Sequence, residues 1–273
     1  MSECYSYILS FTHSIIHSFN IEIKMKEELA SEQQIRRRTI KAFVGFGVAS
    51  LIPVAAWKWI NNSPKLNQTL APLRKTLEFN EKLTAKLLSN SHLAPTFPKA
   101  EAEPRVRING KEGLGGEISE DYKVQVESGE KKFEVSMDDI KALPKQEIIF
   151  EFKCIEGWSQ IQHWAGVRFV DFMNHYQIGQ KDAENLFDYV GMETPDGKYY
   201  VGIDTPSAVH PQTILAYEMN GKPLEPLHGS PLRLIIPVKY GYKSLKKIGV
   251  IKFSDTRPKD YWALFGYDYF AGL

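Results

Sequence analysis

Phe150-Glu151-Phe152-Lys153-Cys154-Ile155-Glu156-Gly157-Trp158-Ser159 is the stretch on which the fold turns. Its first five residues alternate apolar and charged, the period-two pattern of a strand with one buried face. Phe150, Phe152 and Cys154 therefore share a side, and the strand breaks at Glu156-Gly157. A thiol at a strand end, opening into a glycine-containing loop, is placed to act as a ligand or a nucleophile. A free cysteine is also a small hydrophobe that packs readily into cores. These ten residues alone leave both roles open.

Outward from this strand, residues 122–126, 198–203, 213–219, 232–237 and 250–253 read as further strands separated by Gly and Pro turns, and Asn220-Gly221 as a hairpin turn. Ser136-Met137-Asp138-Asp139 is a capping-box pattern that opens a short helix running to Leu143 and stopped by Pro144. Residues 164–176 read as a helix in which Phe169, Phe172, Met173 and Tyr176 form a core-facing stripe. The fold class that follows is α+β, mainly β, in a body spanning 105–273.

The chain has 273 residues, 43% of them hydrophobic, and a formal net charge of +1, which describes a globular protein without the basic excess of a nucleic-acid binder. Its amino-terminal part is distinct. Arg36-Arg37-Arg38-Thr39-Ile40-Lys41 precedes an uncharged apolar run, 42–57, that Lys58 ends. A bilayer crossing takes about 20 apolar residues, so the run suits an export signal or a short anchor. The basic cluster stays cytoplasmic and puts the remainder across the membrane; paired arginines there resemble a twin-arginine signal. A buried core helix is the alternative. The organisation expected is 1–41 as a cytoplasmic segment with a true start at Met25, 42–60 as signal or membrane anchor, 61–104 as a helical linker, and 105–273 as the catalytic domain. The linker carries Leu73, Leu77, Leu83 and Leu87 at helical spacing, then Pro95, Pro98 and Pro104. A start at Met25 removes Cys4 and leaves Cys154 alone. A lone cysteine in an exported chain has no internal disulfide partner, a pattern that suggests a reactive or liganded thiol.

Two more segments could carry chemistry. His228-Gly229 precedes a strand with Arg233, and Lys239-Tyr240-Gly241-Tyr242-Lys243-Ser244-Leu245-Lys246-Lys247 gathers lysines, a hydroxyl and a glycine between strands. Such a loop suits a phosphate or another anion, or it is a solvated basic face. The histidines do not form a metal site by spacing; His13 and His17 are four apart but lie before Met25. A Cys–His nucleophile pair through His163, His210 or His228 is open in principle, although no local motif around Cys154 supports it.

Three blocks together resemble the molybdopterin-binding domain of the sulfite oxidase family. They are 152–159, then 215–221 through 228–234, and 237–246. The resemblance covers about 105–255 and implies a mixed α+β, mainly β fold. It implies that the Cys154 thiolate ligates molybdenum, a role suited to a soft ligand. His228, Arg233, Ser244, Leu245 and Lys246 take cofactor-binding roles by the same resemblance, the last three partly through backbone groups. Thr194 falls at another pterin contact, and Arg107 and Asn109 are further candidates.

Sulfite oxidases proper follow the ligand cysteine with an Arg-rich stretch. Here Ile155-Glu156-Gly157-Trp158-Ser159 looks more like the bacterial periplasmic methionine-sulfoxide reductase branch, although that branch's Asn- and Tyr-rich motif before the domain is not found. The implied protein is an extracytoplasmic molybdopterin oxidoreductase, with one cofactor per chain, that passes an oxygen atom to or from a small S- or N-oxide. Its electron partner would be a membrane haem protein or a cytochrome, and residues 42–60 would touch the membrane. Sulfite oxidation and a non-catalytic module of the same fold are the alternatives.

Overall fold

The computed structural model describes residues 32–87, 91–114, 119 and 121–273. The expectations for Cys4, Met25, His13 and His17 lie outside these residues. Contacts divide the chain into two units, one ending at Ser63 and the other spanning Pro64–Leu273.

In the first unit, helix α1 (Glu32–Asn61) contains the basic cluster, the apolar run and Pro53. Its part Gln34–Asn61 is long and apolar enough to cross a membrane.

The second unit opens with a two-stranded ribbon, β1 (Lys65–Leu66) and β2 (Thr69–Leu70), and with α2 (Ala71–Leu87). Its body is built on two sheets. One has the order β10-β9-β6-β5, with β11 also pairing β9. Its strands are β5 (Lys145–Lys153), β6 (Ser159–Arg168), β9 (Ile214–Met219), β10 (Lys222–Pro223) and β11 (Arg233–Ile235). The other has the order β4-β3-β12-β7-β8, from β3 (Lys123–Ser128), β4 (Lys131–Ser136), β7 (Tyr189–Glu193), β8 (Tyr200–Asp204) and β12 (Val250–Ser254). Among the described residues only the β3–β12 pair is parallel. The mixed α+β reading is borne out.

Local chemistry accounts for most of these elements. The expected alternation puts Ile148, Phe150 and Phe152 on the buried side of β5, where they pack with Trp164, Ile214 and Ile235. Asn220 and Gly221 both take positive φ, as a two-residue hairpin between β9 and β10 demands. Ser136 caps α3 (Met137–Lys141), with Asp139 completing the capping box.

One element differs from the sequence reading. Residues 164–168 are not helical: they complete β6, which pairs along β5 and β9, and the helix is only α4 (Phe169–Tyr176). Trp164, Ala165 and Val167 are all buried in the sheet, so tertiary pairing overrides a local pattern that also fits a helix. Gly166 is required at the bulge in that pairing, because a Cβ there would stand 2.0 Å from the Leu215 carbonyl oxygen. The Phe169, Phe172 and Met173 stripe is buried in the main core as expected, with Tyr176 packed against it.

Candidate functional site

β5 delivers Cys154 to a tight turn. Its N–H donates to the Trp158 carbonyl at 2.9 Å, and the Gly157 N–H donates to the Cys154 carbonyl at 3.1 Å. Gly157 sits at φ +85°, the left-handed conformation that glycine adopts without penalty. Burial pushes the Cys154 thiol pKa up, against a hydrogen bond from the Glu156 backbone that favours the thiolate. The Arg107 guanidinium stacks 4.8 Å over the Trp158 ring on the same turn.

Cys154 lines a cavity of about 70 Å³ together with Asn109, Ser244 and Lys246. Four of the expected site residues, from three separate parts of the chain, thus meet at one place. Tyr199, Tyr242, Trp262 and Tyr267 form an aromatic wall, and Glu112 and Glu156 add carboxylates. Thr194 stands apart from this lining. Its hydroxyl donates to Asp196 at 2.6 Å and accepts from the Tyr199 N–H, closing a turn.

Behind the cavity is a buried cationic cluster. Arg233 is fully buried; it donates to the His228 carbonyl at 2.9 Å and to the Ser244 carbonyl at 3.1 Å, and lies 4.7 Å over the Trp164 ring. Its Nε has no partner, nor has the Ser244 hydroxyl. Lys246 donates to the Gly110 carbonyl at 2.9 Å. Among the described residues neither Arg233 nor Lys246 forms an ion pair. Burial lowers the Arg233 pKa to about 9, and burial together with Arg233 lowers that of Lys246 to about 7. His228 is pushed down by burial, and further by both cations. Buried cations without an ion-pair contact, beside unpaired donors, are the donor set an anionic group needs.

The same loop uses its other lysines differently. Lys239 pairs with Asp204 at 2.9 Å and Lys243 with Asp260 at 2.6 Å, all within the buried body. Three of the loop's four lysines are less than 4% exposed and the fourth is 7% exposed, so the solvated-face alternative is excluded. The Ser244 and Leu245 N–H groups are already given to the Gly241 and Lys243 carbonyls.

No histidine completes a nucleophile pair with Cys154 among the described residues. His163 faces Glu147 at 3.2 Å, His210 meets the His92 carbonyl at 3.2 Å, and His228 does not line the cavity. Sequence reasoning missed the aromatic wall. Its signal was the run of Tyr261, Trp262, Phe265 and Tyr267, which lies beyond the resembling blocks.

A family model described as the oxidoreductase molybdopterin binding domain matches residues 115–262. A candidate protein-methionine-sulfoxide reductase subunit, YedZ1, of Azospira oryzae is 29% identical, covering 88% of this chain and 89% of that protein. The protein-methionine-sulfoxide reductase catalytic subunit MsrP of Campylobacter jejuni is 33% identical over 57% of each chain. MsrP of Xanthomonas axonopodis is 33% identical over 49% of this chain, which spans 44% of that relative. The sulfane dehydrogenase SoxCD of Paracoccus pantotrophus superposes with a TM-score of 0.46 at 18% identity, over 52% of this chain and 40% of that one. With its family model matched across 115–262, the chain belongs to the oxidoreductase molybdopterin-binding domain family, the sulfite oxidase family, and is a molybdopterin-dependent oxidoreductase.

Proposed function

We propose that this protein reduces sulfoxides, methionine sulfoxide foremost, outside the cytoplasmic membrane, with one molybdenum cofactor per chain. The observation that carries the reading is the convergence on one cavity of Cys154, Asn109, Ser244 and Lys246, with the fully buried Arg233 on the Ser244 carbonyl and no ion pair to either cation among the described residues. Cys154 would hold the metal through its sulfur. Arg233 and the Ser244 hydroxyl would receive the anionic part of the cofactor, with Lys246 and Asn109 at the cavity and His228 and Arg107 behind them; Thr194 and Leu245 would support these contacts through the turns they close.

The bound cofactor supplies the two-electron chemistry and the site for the transferred oxygen. This chain's residues supply position and electrostatics. Cys154 is fixed at a strand end by its turn, so the sulfur is presented with little freedom. The aromatic wall of Tyr242, Trp262 and Tyr267 offers a sulfur-friendly surface for a thioether or sulfoxide. Glu112 and Glu156 line the same cavity, which admits a neutral sulfoxide at lower electrostatic cost than a sulfite anion. The reduction consumes two protons and two electrons and releases water and a thioether. The electrons would come from a membrane haem protein or a cytochrome. Helix α1 supports an anchor or export signal by its length and composition, and the two MsrP relatives are named as catalytic subunits of protein-methionine-sulfoxide reductases.

The test is an anaerobic assay of molybdenum-loaded protein, with a reduced dye as electron donor, against methionine sulfoxide, N-oxides and sulfite. Turnover of methionine sulfoxide well above the others is expected. Sulfite oxidation as the dominant activity would overturn the reading.

A further inference from the structure

Helix α2 has one face on the body and an outer face of unusual composition. Arg74, Leu77 and Glu81, spaced three and four apart, turn inward. Arg74 is buried and donates to the Ala263 carbonyl at 2.8 Å, the Tyr267 carbonyl at 3.2 Å and the Thr69 hydroxyl at 3.3 Å. Glu81 receives Arg257 at 2.6 Å.

At the helical spacing of 3.6 residues per turn, the side opposite these three is occupied by Phe79 and Leu83, with Thr76 beside them. Phe79 is 66% exposed and Leu83 51%. Lys75, Lys82 and Lys86 run along one edge of that apolar strip, all exposed. The acids of α2 are elsewhere: Glu81 is on the body face and Glu78 at its margin. Scattered exposed hydrophobes are ordinary. An apolar strip with a lysine row and no carboxylate is the pattern of a helix lying in a membrane interface, where lysine stems extend toward headgroups.

We propose that the outer face of α2 lies on the anionic headgroup surface of a bilayer, with Phe79 and Leu83 entering the acyl boundary and the three lysines meeting lipid phosphates. The proposal depends on the membrane reading of α1, from which only residues 62–70 separate α2 in sequence. Charge complementarity selects the occupant: the lysine row favours anionic lipid over a neutral surface. The same helix grips the carbonyls of Ala263 and Tyr267, next to Trp262 and Tyr267 of the cavity wall. Docking by α2 therefore holds the cavity that contains Cys154 at a fixed presentation to the membrane, where a membrane electron donor would meet it.

The test uses the full chain with Leu83→Cys as the labelling site in a Cys4→Ser, Cys154→Ser background. It carries an environment-sensitive fluorophore and is reconstituted into vesicles of phosphatidylcholine with or without phosphatidylglycerol. Expected are blue-shifted emission and quenching by brominated acyl chains in the anionic vesicles, with neither at a control label on Lys222→Cys. Replacing Lys75, Lys82 and Lys86 with Glu should weaken the quenched state by roughly fivefold or more per lysine, while the chain still floats with the vesicles. A chain that floats while its Leu83 label stays in water overturns the α2 proposal and spares the anchor. A chain that does not float overturns the anchor reading, and this proposal with it. A label already blue-shifted in lipid-free detergent at low concentration, and not quenched by brominated lipid, would assign the face to a protein contact instead.

Discussion

The loop 239–247 contains two halves made of the same residue type in opposite states. Lys239 and Lys243 are buried against Asp204 and Asp260, and each also donates to a carbonyl, Phe270 and Gly202 respectively. Lys246, with Arg233 behind it, is buried with carbonyl partners only. The first half is complete without a ligand. The second has no ion pair among the described residues, and it leaves an Arg233 Nε and a Ser244 hydroxyl unanswered. Buried charge without a counter-charge is expensive, so the second half is where an anionic group belongs. A lysine in the loop is thus structural or functional according to its partner, and the sequence does not print the partner.

The largest effect expected is on the paired half. Asp260→Ala leaves the Lys243 ammonium buried without a counter-charge, and breaking such a pair costs about 3–5 kcal/mol. Chemical denaturation of the cofactor-free domain should show it, whereas equal loss from Arg233→Met would erase the contrast. Arg233→Met should instead leave the cofactor-free domain near wild-type stability and weaken cofactor retention. The loss of charge-assisted hydrogen bonds, about 1.5–3 kcal/mol, corresponds to roughly 10- to 100-fold. Pterin content after gel filtration is the readout.

A pH series sharpens the comparison further. Lys246 has a folded pKa of about 7, below the ordinary lysine value near 10.4. Between those values the unfolded chain binds the extra proton, so stability rises with pH across that window and is lower below it. Lys246→Met should flatten that rise in the cofactor-free domain; an unchanged slope would deny the depressed pKa. The smallest effect belongs to Ser244→Ala. It removes a hydroxyl without a partner, so stability should shift by less than about 0.5 kcal/mol, while cofactor retention falls several-fold.

Much of this was legible in advance because the signals are local. Alternation defined β5, the capping box defined α3 and Asn220-Gly221 defined the hairpin turn, each from a few neighbouring residues. Residues 164–168 misled because a β-strand buried on both faces has no alternation to display, and its apolar run continues into a true helix. In the site, Cys154, Asn109, Ser244 and Lys246 were identified and do converge. Thr194 and Leu245 instead close turns, a local use of their polar groups that the motif match could not reveal. The aromatic wall was missed because Tyr199, Trp262 and Tyr267 reach the cavity from distant strands and turns, and only the topology brings them together.

The claim at the centre of this account is that Cys154 binds the metal within a site otherwise complete. Molybdenum X-ray absorption on the loaded wild type and on Cys154→Ser, with circular dichroism as the folding control, tests it most directly. The account predicts a folded variant whose metal has lost one sulfur neighbour and whose sulfoxide reductase activity is abolished. A folded variant with the wild-type sulfur count and full activity would contradict it.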